Sequence, residues 1–395
     1  MRLLRSRIES EIYDVDTAPI PDGPLIESIG GDAAEATRKL TAVGLSDPYT
    51  WCRTPSEISC GQLQRYRLAH ALASSAPIIV ADEFLHALDR TTAAAVAWTT
   101  QRQVRAAGRS LLIATTQPNI ATDLKADIVI QCNWTPEPHV IAPQHITNTC
   151  SLLDGLTFRR GDHADWSKLA HLHYAAGDPA TTHSYHVAEI EGMPGPAAVL
   201  VFSYPDLHSA ARNLATEEAY KIGGSREAAM RLNREVKKLA RIVVAPEVRG
   251  IGISRRLIEH AVTQIDARYI ETVAAMGTHH NFLKSVGFRE VPQTPAEIEA
   301  KIYAAASIDR TPPHVMLDST ELAAWVETLS VRRGREWRRL CWQHWHHFSI
   351  HRRTRKPMPK VVPGPTDPRW ADAWQMMAAR IGGRPSYWIL GPIER

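Results

Sequence analysis

The sequence predicts an α/β chain: a parallel lobe, then a domain with a mixed central sheet and flanking helices, and finally a helical, basic C-terminal segment. Two observations support this prediction. An apolar strand at residues 77–83 lies between two helix-like stretches, which is the pattern of a buried parallel strand. Further along, a β-branched strand from Arg241 enters a glycine turn and a helix at residues 255–264, and a second apolar strand follows at residues 269–276.

The length and composition indicate several domains and no membrane span. A chain of 395 residues exceeds the usual size of one core. We expect an N-terminal lobe (residues 1–135), a linker (136–150), a second domain (151–304) and a Trp-rich C-terminal extension (305–395). No run approaches the roughly 18 apolar residues of a membrane helix, and the charged start does not fit a signal peptide, so a cytoplasmic protein is expected.

The cysteine pattern indicates neither disulfides nor a metal site. The five cysteines are scattered, odd in number and free of any Cys-x-x-Cys pair. A disulfide framework or a zinc site would need paired spacing. We therefore expect buried thiols and no metal of the zinc type.

In the N-terminal lobe, a polar motif precedes a helix and a buried strand. Ser59-Cys60-Gly61-Gln62 leads into a helix-like stretch at residues 63–72, and the strand at residues 77–83 ends in Asp82-Glu83. Two carboxylates at the carboxyl end of a parallel strand can organise a magnesium ion and polarise an attacking water.

These motifs resemble the ATPase domain of the ABC family, with its signature sequence and its Walker B strand. Asp89 then lies in a D-loop-like Leu-Asp pair, and Gln117 takes the place of the family's switch histidine. The resemblance assigns the following residues to an ATPase-like site: Ser59, Gly61, Gln62, Asp82, Glu83, Asp89 and Gln117.

The same family needs a Walker A loop, Gly-x-x-x-x-Gly-Lys-Ser/Thr, and residues 1–57 contain none. ATP and magnesium are therefore not expected to bind this chain alone, and Asp82 would hold magnesium only in a completed nucleotide site. Three explanations stay open: a degenerate lobe kept as a scaffold, a chain whose beginning is missing, or the signature half of a dimer. The last would need a homodimer or a partner that carries Walker A.

The glycine loop, defined as residues 249–254, has the features of an anion site. Gly250 and Gly252 let the backbone turn tightly and bring N–H groups to an anion, and the positive end of the next helix faces the same point. The loop resembles the acyl-coenzyme A loop of GNAT acetyltransferases, whose Arg/Gln-x-x-Gly-x-Gly/Ala pattern matches Arg249, Gly252 and, imperfectly, Ser254. A second strand and a Gly287-Phe288 ending follow in the family's order.

This resemblance implies acetyl-CoA or another acyl-CoA as the cofactor, used for direct attack of an amine on the thioester. Its predicted binding residues are Ile242, Val243, Val244, Arg249, Gly250, Ile251, Gly252, Ile253, Ser254 and Asn281. Backbone N–H groups of residues 242–244 would hold the thioester carbonyl, and the loop would hold the pyrophosphate.

The catalytic acid and base are less clearly marked in the sequence. GNAT enzymes commonly use a tyrosine as the general acid, but the corresponding position in this sequence holds Leu283. Either His279 or His280 is therefore a candidate acid. The two histidines could equally be ordinary exposed loop residues. Glu271 is a candidate base acting through an ordered water, although its alternation in the strand could equally point it away from the cleft.

The basic segment, residues 331–360, holds ten Lys and Arg residues against the single Glu336. Its candidate nucleic-acid contacts are Arg332, Arg333, Arg335, Arg338, Arg339, Arg352, Arg353 and Arg355. Cations would neutralise phosphates, and the interleaved tryptophans would stack on DNA or RNA bases. An amphipathic helix that buries Trp337 and Trp345 explains the same pattern, and both interpretations stay open.

The order of the two domains resembles prokaryotic and phage proteins that join an ABC-type ATPase to a GNAT domain. The GNAT-like domain is also distantly similar to the Mom-type acyltransferases that modify DNA bases. The sequence therefore predicts an acyl-CoA-dependent N-acyltransferase, with nucleic acid among the candidate acceptors. The alternative is a non-catalytic nucleic-acid-binding or assembly protein with a relic ATPase lobe, or the signature half of an ATP-binding dimer.

Overall fold

The computed structural model contains two compact units. It describes residues 10–132, 137–143, 148–173, 177–179, 181–274, 282–292, 295–312, 315–316, 318–348, 362–364, 366–381 and 385–393. One unit comprises residues 1–205 and 233–267, and the other comprises residues 206–232 and 268–395.

The first unit begins with a parallel sheet. Its strands, in spatial order, are β1 (Ile12–Asp14), β2 (Ile78–Ala81) and β3 (Ser110–Ile113). In the central strand, Ile79 pairs with Tyr13 on one side and Leu111 on the other. Ile79 and its two successors are buried, as the apolar run predicted.

Helices lie between and after these strands in the chain, and a small hairpin follows. The helices are Leu25–Ser28, Ala33–Ala42, Pro48–Trp51, Cys60–Ala73, Arg90–Ala106 and Ile120–Asp123, with a 3-10 turn at Pro55–Glu57. Their apolar faces meet in one core that includes Leu25, Leu40, Tyr66 and Leu85. Strands β4 (Val129–Gln131) and β5 (His139–Ile141) form the antiparallel hairpin.

The first unit also contains four antiparallel strands. They are β6 (Leu156–Gly161), β7 (Thr182–Ile190), β8 (Ala198–Ser203) and β9 (Val236–Val244), each paired with its neighbour in sequence. Between and after them in the chain lie helices His163–Leu169 and Ile253–Thr263, with 3-10 turns at Ser151–Leu153, Ala170–Leu172 and Pro246–Val248. Helix Ala210–Ala215 and most of helix Arg226–Glu235 also lie between β8 and β9 in the chain, but they belong to the second unit. The predicted strand, glycine turn and helix are thus present. The helix starts at Ile253, two residues before the predicted start, because Gly252 is its N-cap.

In the second unit, a C-terminal strand lies between two strands that come earlier in the chain. Strand β12 (Ser386–Leu390) pairs antiparallel with β10 (Tyr269–Ala274) and with β11 (Arg289–Val291). Strand β12 was not predicted from the sequence, because a five-residue strand at the end of a helical segment gives no local sign of its distant partners.

The rest of the second unit is helical, as predicted for the C-terminal extension. Besides helix Ala210–Ala215 and most of helix Arg226–Glu235, its helices are Phe282–Ser285, Glu297–Asp309, Ser319–Thr328, Val331–Phe348 and Arg369–Ile381. The last two helices, Val331–Phe348 and Arg369–Ile381, contribute a cluster of buried indoles to the core. The cluster comprises Trp337, Trp342, Trp345, Trp370 and Trp374. Over the part of the chain that the structure describes, no helix has the length and apolar character needed to cross a membrane.

Candidate functional site

The glycine loop connects β9 to the helix Ile253–Thr263 through two left-handed residues. Gly250 has a φ of 88° and Gly252 a φ of 95°, conformations that residues with a side chain rarely adopt. A Cβ added at Gly252 would meet no atom within 4 Å, whereas one added at Gly250 would lie 2.9 Å from Cγ2 of Thr99. Gly252 therefore leaves open space at the start of the helix, and Gly250 allows close packing.

The charge at this helix start favours an anion. The first turn contains no acidic residue and carries Arg255 and Arg256. Arg255 forms an ion pair with Glu259 at 2.8 Å, and Arg256 is exposed. Cations in a first turn oppose the helix dipole, so an anion bound there would relieve the repulsion. Arg256 was not among the residues predicted from the sequence, although a basic residue directly after a glycine loop was a usable signal.

Arg249 lies at the start of the loop, but its described contacts are with the protein itself. Its Nε donates to the Val244 carbonyl at 2.9 Å, and its Nη1 donates to the Ser46 carbonyl and to Ser46 Oγ at 3.1 and 2.6 Å. Burial lowers the pKa of the Arg249 guanidinium, partly offset by the carboxylates of Glu247 and Asp47. The predicted contact of Arg249 with pyrophosphate stays a prediction.

The remaining predicted cofactor residues of the first unit either form β9 or anchor the loop. Ile242, Val243 and Val244 pair with Leu200, Val199 and Ala198 of β8. Ile251 and Ile253 are buried and hold the loop against the core, while Ser254 is half-buried in the first helical turn. The structure thus brings the predicted thioester strand and the predicted pyrophosphate loop together in one continuous segment.

Glu271, the predicted base, belongs to a buried ion pair in the second unit. Arg212 is fully buried, and its Nη1 lies 3.1 and 3.2 Å from the two carboxylate oxygens of Glu271. The Tyr387 hydroxyl donates to Oε2 of Glu271 at 2.5 Å, and Nη2 of Arg212 donates to the carbonyls of Asp206 and Leu207. Burial, reinforced by the Glu271 carboxylate, raises the pKa of Tyr387. Both oxygens of Glu271 are therefore engaged, and its role as a base stays a prediction.

The candidate acids His279 and His280 and the predicted cofactor residue Asn281 lie outside the described residues. Leu283, at the family's tyrosine position, is buried in the short helix Phe282–Ser285 and has no proton to donate.

In the N-terminal lobe, the signature motif caps a helix. Ser59 Oγ accepts from the Gln62 N–H, and Gln62 Oε1 accepts from the Ser59 N–H, so the pair forms a capping box on helix Cys60–Ala73. A Cβ at Gly61 would lie 2.8 Å from Cδ2 of Leu88 and 3.2 Å from the Ala87 carbonyl oxygen. The motif's glycine is therefore required for packing against the D-loop-like segment.

The other ATPase-like residues surround the carboxyl end of β2. The N–H of Asp82 donates to Oδ2 of Asp16 at 2.7 Å, and Glu83 is exposed with a φ of 47°. Gln117 Nε2 donates to the carbonyls of Leu85 and Leu88, and Asp89 caps the helix Arg90–Ala106. Within the described ranges, no group of three or more His, Cys, Asp or Glu side chains could hold a metal ion.

In the basic segment, the tryptophans are buried. Trp337, Trp342 and Trp345 face the helical core of the second unit, which agrees with the amphipathic interpretation and leaves these rings unavailable for base stacking. Burial, with the positive charge of Arg380, lowers the pKa of His344 in the same helix to about 4.

The arginines of this segment fall into three groups. Arg333 pairs with Asp309 and Glu336, and Arg338 pairs with Glu327. Three are exposed along one face of the helix Val331–Phe348: Arg332, Arg335 and Arg339. The other three lie outside the described residues: Arg352, Arg353 and Arg355.

Comparison with known proteins finds two separate similarities. The model of the GNAT acetyltransferase domain matches residues 206–302. The N-terminal part is 29% identical over 115 residues to the methionine import ATP-binding protein MetN of Bradyrhizobium diazoefficiens, covering 29% of this chain and 32% of that protein. It is 37% identical over 97 residues to the macrolide export ATP-binding/permease protein MacB of Salmonella typhimurium, covering 25% and 14%.

Comparison with solved structures finds a partial similarity. A dimeric ATP-binding cassette bound to ADP and Pi matches with 25% identity and a TM-score of 0.27, covering 33% of this chain and 61% of that one. The chain spans about a third or less of the length of the two curated relatives above.

Proposed function

We propose that this chain, which joins an ABC-ATPase-like region to a GNAT acetyltransferase domain, transfers an acyl group from acyl-CoA to an amine. The observation that carries the proposal is the glycine loop. Its left-handed Gly252 opens the start of an eleven-residue helix whose first turn carries two arginines and no acid. Such a helix start supplies backbone N–H groups and positive charge to a pyrophosphate.

In the proposed reaction, the protein contributes positioning and charge. The glycine loop would hold the pyrophosphate, with Arg256 as an additional cation. The N–H groups of residues 242–244 would donate hydrogen bonds to the thioester oxygen and stabilise the negative charge that develops on it when the amine attacks. The proton leaving the amine and the proton taken by the thiolate would pass through His279, His280, Glu271 or water.

We expect acetyl-CoA to bind the purified chain with a measurable heat, and ATP with magnesium to give none. The first result follows from the glycine loop, and the second from the missing Walker A sequence in residues 1–57. Calorimetric titration of the same preparation with each ligand checks both. A chain that binds neither ligand would contradict the acyltransferase proposal.

A second candidate function, polyanion binding, is supported by the exposed face formed by Arg332, Arg335 and Arg339. These residues are spaced so that they share one side of the helix Val331–Phe348. Since the neighbouring indoles are buried, we propose contact with the phosphates of a nucleic acid rather than with its bases. DNA or RNA could then be an acceptor or only a binding partner.

Replacing these three exposed arginines with glutamine should lower DNA affinity and reduce its salt dependence. Each phosphate contact contributes a slope of about 0.9 to the plot of log affinity against log salt, so the slope should fall by roughly 3. Fluorescence anisotropy with duplex DNA at several salt concentrations measures the affinity and this slope. The control removes the same charge at Arg53, Arg90 and Arg226, which are also exposed. Equal losses in both variants would show a general charge effect and contradict a local site.

A further inference from the structure

We propose that the N-terminal lobe positions the glycine loop for acyl-CoA, with Arg249 as the positioning residue and Ser46 as its anchor. The inference rests on the proposed function, because it concerns the same loop. It assigns to the ATPase-like lobe a role that needs no ATP hydrolysis. The residues that carry it all belong to the first unit.

The first supporting observation is the hydrogen bonding of Arg249. Its guanidinium joins the Val244 carbonyl, at the end of β9, to both the carbonyl and the hydroxyl of Ser46. Ser46 lies in the N-terminal lobe, between helices Ala33–Ala42 and Pro48–Trp51. One side chain thus fixes the entry to the glycine loop against a segment 203 residues earlier in the chain. Hydrogen bonds from a charged, half-buried donor are among the stronger ones in proteins.

The second observation is the close approach of Gly250 to Thr99. Thr99 is buried in the helix Arg90–Ala106, and its hydroxyl donates to the Val96 carbonyl. Its methyl carbon Cγ2 lies only 2.9 Å from the position that a Cβ of residue 250 would occupy. A larger residue at position 250 would push the loop away from the lobe, so this glycine serves the contact as well as the turn.

The third observation connects the loop to the signature end of the lobe. Arg65, in the helix Cys60–Ala73, donates to the carbonyls of Gly44 at 2.9 Å and Gly61 at 3.2 Å. Burial lowers the pKa of Arg65, and the carboxylates of Asp89 and Glu247 oppose this change. Arg65 therefore hydrogen-bonds to the signature glycine and to the segment next to Ser46, and its charge is favoured by the Glu247 carboxylate in the turn that precedes the glycine loop.

Substitution of Ser46 distinguishes this positioning role from direct binding of the pyrophosphate by Arg249. If Arg249 contacts the pyrophosphate itself, removing the Ser46 hydroxyl should leave acetyl-CoA affinity unchanged. If Arg249 positions the loop through Ser46, the two substitutions should affect the same interaction. Their effects would then not add.

The test is a double-mutant cycle measured by calorimetric titration of the full chain with acetyl-CoA. We expect Ser46→Ala to weaken binding by about 5-fold and Arg249→Ala by about 10-fold or more, in line with hydrogen bonds to a charged group. The double variant should bind no more than about 2-fold weaker than Arg249→Ala alone. Ser46→Thr keeps the hydroxyl and should restore affinity.

The matched control is Ser74→Ala. Ser74 Oγ accepts from Nη2 of Arg109 at 3.0 Å, so this change also removes a serine–arginine hydrogen bond of the N-terminal lobe. Its acetyl-CoA affinity should equal that of the wild type, and melting temperatures of all variants show whether each is folded. An unchanged affinity in Ser46→Ala, with binding intact in the wild type, overturns this inference alone. Absence of binding in the wild type would instead contradict the proposed function.

Discussion

Replacing Gly252 with aspartate is expected to lower acetyl-CoA affinity by at least about 100-fold, or roughly 2.7 kcal/mol. Two effects combine. A side chain at a φ of 95° costs about 1–2 kcal/mol, and it adds a carboxylate at the open start of a helix that we expect to hold a pyrophosphate. Calorimetric titration of wild type and variant measures the change.

Gly192 provides a closely matched control for this substitution. It has a φ of 85° and, like Gly252, would place a Cβ with no atom within 4 Å, but it lies in the turn between β7 and β8. Gly192→Asp should show a similar backbone strain and leave acetyl-CoA affinity unchanged. Gly252→Ala adds a side chain without a charge, so it separates backbone strain from charge repulsion. Its acetyl-CoA affinity should fall by no more than about 10-fold. The pyrophosphate assignment would be wrong if Gly252→Asp bound acetyl-CoA as tightly as Gly192→Asp.

The parts of the fold that sequence predicted are those encoded by short-range patterns. The glycine spacing around Gly252 predicted a tight turn before a helix, which the structure forms with left-handed glycines, and the apolar run before Asp82 predicted a buried parallel strand. Both families that the motifs resembled were then found by comparison. In each case, the backbone chemistry of a few consecutive residues determines the local structure.

The parts that sequence did not predict depend on partners far along the chain. Arg249 matched the acyl-CoA motif, yet its hydrogen bonds go to Ser46, 203 positions away. Glu271 had the right residue type for a base, but its neutralising partner Arg212 lies 59 positions earlier. Strand β12 (Ser386–Leu390) gave no local sign that it pairs with β10 and β11. Spacing within a motif indicates a residue's family position, whereas its contacts depend on tertiary packing.

The buried pair of Arg212 and Glu271 should make Arg212→Ala the most destabilising single change considered for the second unit. Removing the guanidinium leaves a carboxylate that is 2% exposed without the cation that lies 3.1 and 3.2 Å from its two oxygens. Breaking a buried ion pair from one side typically costs about 3–5 kcal/mol, because the remaining charge is uncompensated. The denaturant midpoint for unfolding, followed by tryptophan fluorescence, should fall accordingly.

Two further variants separate the lost charge from the lost packing. Replacing Arg212 and Glu271 together with methionine removes both charges and should recover most of the stability, because a buried ion pair contributes little over apolar residues of similar volume. Tyr387→Phe removes one hydrogen bond to Glu271 and should cost about 1–2 kcal/mol. If Arg212→Ala unfolded at the wild-type midpoint, the pair would have no structural role.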